Sequence, residues 1–150
     1  MPHCAYDFTT YAAYINQIAR RASMWAPYVL FVNAIWDLVT GAAILIYVST
    51  HRLKWLADTH LGLWNNEEDR NNDTASVLMA FLLLQWSWVR MITSLDPVDH
   101  WQDAVYSYWL EGSLIGLATF SGHMYTLSGY TVVTLCVACA GVVLMEAFRP

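Results

Sequence analysis

Long apolar stretches and short polar ones follow each other along this chain. Residues 25–48 contain one charged side chain, Asp37, residues 75–89 contain none, and residues 110–145 contain one, Glu111. Apolar stretches of about 20 residues are typical of helices that cross a lipid bilayer. The pattern predicts four membrane-spanning helices, at about 25–48, 74–95, 100–122 and 125–147. We expect these to form an antiparallel bundle in an all-α integral membrane protein whose single membrane domain covers residues 1–150.

Two segments outside the predicted spans have patterns of their own. Residues 9–22 carry apolar side chains at helical spacing and two arginines, Arg20 and Arg21, which predicts a short amphipathic helix at the membrane interface before the first span. Because this helix has arginines, several hydroxyl groups and few acids, it resembles a mitochondrial targeting segment. No cleavable secretory signal peptide is expected, since the segment lacks an apolar core. The segment at about 51–73 is the most hydrophilic part of the chain, and its composition predicts a solvated loop.

Composition agrees with a membrane protein. The chain is 57% hydrophobic and 13% charged, against about 25% charged in an ordinary globular domain. It contains no basic patch of the kind that binds nucleic acid, so the expected partners are other membrane subunits and lipids.

Four polar side chains inside the predicted spans are the main candidates for function. Asn33 and Asp37 lie four residues apart and so share one face of the first span. If the spans alternate in direction, Asp37 and Glu111 lie near mid-depth, and Arg90 lies within reach of either carboxylate. A lone carboxylate in hydrocarbon costs several kcal/mol or takes up a proton, so these side chains need partners. We interpret the set as a clamp between helices or, alternatively, as part of a transport pathway.

Small residues on the last two predicted spans suggest close helix packing. Gly112 and Gly116 lie four apart on the third span, and the fourth carries Cys136, Cys139 and Ala140. The CxxC spacing resembles that of the vitamin K epoxide reductase family, which is also a four-helix bundle. That family needs a second cysteine pair in a loop, and residues 49–73 contain no cysteine. We therefore assign all five residues to a helix-packing face.

The chain shows no catalytic motif, because it has no glycine-rich phosphate loop, no nucleophile elbow and no HExxH. No cofactor or metal is expected, and an enzyme is not favoured. The sequence predicts a non-catalytic accessory subunit of a larger membrane complex. The mitochondrial inner membrane is the expected location, on the basis of residues 9–22 alone. Two alternatives stay open: a small transporter of protons, ions or solutes that uses the polar cluster, and a membrane-embedded enzyme acting on a lipidic substrate.

Overall fold

The computed structural model describes residues 25–97 and 99–148 of the chain. Helices make up 83% of these residues, and the same ranges contain no strand. The predicted amphipathic helix at 9–22 lies outside the described residues. The helices are α1 (Ala26–Thr50), α2 (Lys54–Leu61), α3 (Glu67–Arg70), α4 (Asp73–Leu95), α5 (Trp101–Phe120) and α6 (Thr126–Ala147).

Two pairs of long helices form the core. Helix α1 packs along α4 and α5 packs along α6, while the contacts between the two pairs are sparser. Gly41 allows the close approach of the first pair, because a Cβ atom there would lie 3.1 Å from the carbonyl oxygen of Ala80. In the second pair, a Cβ atom on Gly129 would overlap the side chain of Thr119. A larger residue at either position would therefore clash with the facing helix: with its backbone at Gly41 and with a side chain at Gly129.

Three helices, α1, α4 and α6, are long and apolar enough to cross a membrane. The predicted third span is also a helix, α5, but it does not reach the same apolarity. Its two acids, Asp103 and Glu111, and its polar and aromatic residues lower its hydropathy. The described part of the chain thus contains three candidate spans, and a fourth span remains a prediction.

The hydrophilic segment between α1 and α4 is more ordered than its composition suggests. Two residues with positive φ, His51 and Leu53, turn the chain back after α1. Helix α2 then buries Ala57 and Leu61, 0% and 1% exposed, in a cluster formed with α1 and α4. The solvated loop predicted at about 51–73 was inferred from Asn, Asp and Glu residues, and these are concentrated after α2.

This connection is also tied to the turn between α5 and α6. The backbones of Trp64 and Met124 pair as an isolated antiparallel bridge. The amide of Asn65 donates to the carbonyl of His123 at 2.8 Å, and the imidazole of His123 lies 3.1 Å from a carboxylate oxygen of Asp69. The connection therefore joins the two helix pairs at one end of the molecule.

Candidate functional site

A buried arginine links three of the long helices. The Nη1 atom of Arg90, on α4, donates to Oδ2 of Asp37 on α1 at 2.5 Å. Its Nη2 atom donates to Oε2 of Glu111 on α5. Its Nε atom donates to Oγ of Ser107, also on α5, at 3.2 Å. We call Asp37, Arg90 and Glu111 the ionic cluster.

The ionic cluster is buried between the long helices. Asp37, Arg90 and Glu111 are only 3%, 2% and 7% exposed. The guanidinium carbon of Arg90 lies 4.0 Å from the centre of the Tyr108 ring and 5.9 Å from that of Trp86. Cation–π contacts of this kind gain strength where water is excluded. Carboxylates, a hydroxyl and aromatic faces thus surround the only cation of the cluster.

The remaining member of the predicted polar set lies one helical turn away. Asn33 forms no hydrogen bond with Arg90; its Nδ2 atom donates to the hydroxyl of Tyr108 at 2.8 Å and lies 3.5 Å from Sγ of Cys139. It therefore links α1 to α5 and α6, whereas Asp37 links α1 to α4. The structure brings the four predicted residues into one region through two separate sets of hydrogen bonds.

The predicted small-residue face lies at the contact between α5 and α6. A Cβ atom on Gly112 would lie 3.3 Å from Cβ of Cys136, and one on Gly116 would lie 3.5 Å from Val133. Cys139 and Ala140 pack against the apolar cluster that contains Tyr108 and Cys136. Both cysteines are free thiols. These residues pack against each other within the chain.

Sequence reasoning missed two residues near the ionic cluster. Tyr108 provides the aromatic face over Arg90. It lies three residues before Glu111 on α5 and so on the same face of the helix, which is a sequence signal that could have placed it near the cluster. His60, on α2, lines the same cavity as the ionic cluster. Burial lowers the pKa of His60 below its usual range. No sequence signal places His60 there, because its position depends on how the connection folds back.

A second region stands out at the surface between α4 and α5. Gln85 lies midway along this apolar helix, yet its side chain is exposed. It lines a groove of about 440 Å³ between α4 and α5, which we call the Gln85 groove. Its other principal residues are Trp88 and Ile92 on α4 and Tyr106, Leu110 and Leu114 on α5. Within the described ranges no hydrogen bond joins Gln85 to another residue.

In the part of the chain that the structure describes, no group of three or more His, Cys, Asp or Glu side chains is placed to hold a metal ion. No protein-family model, curated protein or solved structure matches this chain. Its function therefore has to be inferred from its own geometry.

Proposed function

We propose that this protein is a non-catalytic subunit of a larger membrane assembly and that a helix of a partner subunit docks in the Gln85 groove. In this proposal α1, α4, α5 and α6 all cross the membrane as an antiparallel bundle. The observation that carries the proposal is the exposed amide of Gln85, midway along a helix that is long and apolar enough to be a span.

An exposed amide at this position is costly in lipid. Moving an amide from water into hydrocarbon without a hydrogen-bond partner costs several kcal/mol of free energy, and lipid tails offer no partner. A polar side chain on a neighbouring transmembrane helix would supply one, typically contributing about 0.6–2 kcal/mol. The aromatic rings of Trp88 and Tyr106 beside it are of the kind enriched at protein interfaces. A partner helix accounts for Gln85 better than lipid does.

The ionic cluster supports a structural role for the bundle. Both carboxylates bind Arg90, so the charges hold three helices together. Glu111 is one of the acids that lower the apolarity of α5. Since it faces inward and is paired, α5 can cross the membrane as part of this bundle although it is not apolar enough to do so alone. This pairing is our reason for proposing four spans.

The test is the size of the assembly in native membranes. We expect the chain, extracted in a mild detergent, to migrate on a native gel in an assembly well above its own 17.1 kDa. Gln85→Leu should release it as a free, folded chain. The matched control is Gln102→Leu, which removes the same amide from an exposed site in the first turn of α5, where interfacial water can solvate it. Migration as a single chain, or an assembly that survives Gln85→Leu, would refute the proposal.

The mitochondrial inner membrane is the proposed location, and it rests on the composition of residues 9–22. Replacing Arg20 and Arg21 by Gln in the full chain should move a C-terminally tagged protein away from mitochondria. Unchanged localisation, or a wild-type protein found in another membrane, would rule out this location.

A cavity beside the ionic cluster, lined by Asp37 and Glu111, favours a proton or ion pathway as the second candidate function. In liposomes, Asp37→Asn should then abolish flux, and unchanged flux would exclude the pathway. The same cavity has a volume of about 180 Å³, below the ~300–1,000 Å³ of pockets that hold larger ligands. This volume argues against a lipidic substrate enclosed beside the ionic cluster.

A further inference from the structure

The ionic cluster borders a cavity of about 180 Å³ where α1, α5 and α6 meet. All three members of the cluster line this cavity, together with the side chain of Asn33. Trp36 and Leu135 also line it and are 47% and 57% exposed. Because exposed residues form part of its wall, the cavity opens at the surface between α1 and α6. The charges are buried among side chains, and the cavity beside them is not fully enclosed.

The cavity is large enough for water, and polar side chains form part of its largely apolar wall. Asp37 binds Arg90 through Oδ2, and Asn33 uses its Nδ2 atom for Tyr108 and Cys139. Within the described residues these hydrogen bonds leave the Oδ1 atoms of Asp37 and Asn33 available as acceptors. At about 30 Å³ per molecule, the volume corresponds to roughly six waters, each of which needs two to four polar partners.

The ionic cluster has an imbalance of charge. With both carboxylates ionised, Asp37 and Glu111 outnumber the one guanidinium of Arg90, which gives a formal charge of −1. Among the described residues that line the cavity, none supplies a second positive charge: α5 contributes the phenol of Tyr108 and α6 the thiols of Cys136 and Cys139.

Helix α2 contributes only an imidazole to the cavity, that of His60. Because burial lowers the pKa of His60, this ring is neutral at neutral pH. An uncompensated buried charge costs several kcal/mol, and the cluster can avoid that cost by gaining one positive charge.

We propose that this cavity is a hydrated proton-binding site in which the two carboxylates of the ionic cluster share one bound proton beside Arg90. Hydronium that enters the cavity gives its proton to a carboxylate oxygen; an O–H bond forms on the acid, an O–H bond of hydronium breaks, and one water is released. No redox step occurs. The proposal is independent of the partner-subunit assignment, because it concerns only the interior of this chain.

The test is infrared difference spectroscopy of the full chain reconstituted in liposomes at neutral pH. We expect a carbonyl-stretch band of a protonated carboxylic acid, and we expect this band to shift promptly in D₂O. In both Asp37→Asn and Glu111→Gln the band should disappear, because the single remaining carboxylate then balances Arg90 and stays ionised. Asp103→Asn is the matched control: its side chain is 69% exposed and outside the cluster, so the band should remain.

Three results would overturn the proposal. A wild-type spectrum without the band would show that the cluster binds no proton. A band that persists in both variants would come from another acid. A band that fails to shift in D₂O would show a dry, closed site. Because the wild-type spectrum alone can refute the proposal, a variant that does not fold leaves the test decisive.

Discussion

Removing Arg90 should damage this fold far more than removing either of its acidic partners. Arg90→Met keeps an unbranched side chain of comparable length, which limits the cavity that the substitution creates. It leaves Asp37 and Glu111, only 3% and 7% exposed, as two acids without a cation. Removing one partner of a buried ion pair typically costs about 3–5 kcal/mol. We therefore expect the free energy of unfolding to fall by about that amount.

The single acid variants should cost much less. Asp37→Asn and Glu111→Gln each leave one carboxylate opposite Arg90, and the new amide oxygen still accepts a hydrogen bond. We expect a loss of less than about 2 kcal/mol for each, within the range of one charge-assisted hydrogen bond. Combining Arg90→Met with both amide substitutions removes all three charges and should recover part of the stability lost with Arg90 alone.

Equilibrium unfolding in mixed micelles, followed by tryptophan fluorescence, would measure these differences. The signal comes from all eight tryptophans of the chain, among them Trp86, which lies 5.9 Å from the guanidinium of Arg90. If Arg90→Met costs no more than the single acid variants, or if the triple variant is less stable than Arg90→Met, the charge-balance reasoning is wrong.

Three further predictions concern packing and pH. Gly129→Ala should destabilise the α5–α6 pair by about 1–3 kcal/mol, because its Cβ atom would overlap Thr119, whereas Gly141→Ala, with open space around it, should be neutral in the same unfolding assay. Leu61→Ala should cost about 2–5 kcal/mol in that assay, because the side chain is 1% exposed; an unchanged stability would mean that α2 does not pack on the bundle. Since burial depresses the pKa of His60 in the fold, its contribution to stability is present above its unfolded pKa of 6.5 and is lost as pH falls. His60→Gln should flatten the decline in Tm below that pH, and an equally steep decline would contradict this assignment.

The ionic cluster could be predicted from the sequence because charges are so rare in the apolar stretches. Asp37 and Glu111 each stand alone in a long run without other charges, and Arg90 is the only cation within reach of both. A charge in such a run needs a partner, so few pairings were possible. The bounds of the four long helices could also be predicted from the sequence, because they follow from the lengths of the apolar stretches.

The Gln85 groove could not be predicted in this way. Helix α4 has leucines, tryptophans and a phenylalanine on several sides, so its apolar pattern does not show which face points inward. Gln85 and Arg90 are both polar residues of one helix, and only the packing shows that one faces outward and the other inward. Helix α2 was not predicted for a different reason. Its buried residues, Ala57 and Leu61, are too few to indicate a buried helix face in a hydrophilic segment.

The central claim is that a partner helix covers the Gln85 groove in the membrane. The most direct measurement places a photo-reactive aromatic amino acid at position 88 of the chain in its native membrane, keeps Gln85, and compares it with one at position 38. Trp88 lines the Gln85 groove and is 68% exposed, whereas Leu38 lies midway along α1 and is 44% exposed, so it samples another face. The account predicts a protein crosslink from position 88 and only lipid crosslinks from position 38. Lipid crosslinks alone from position 88 would contradict it.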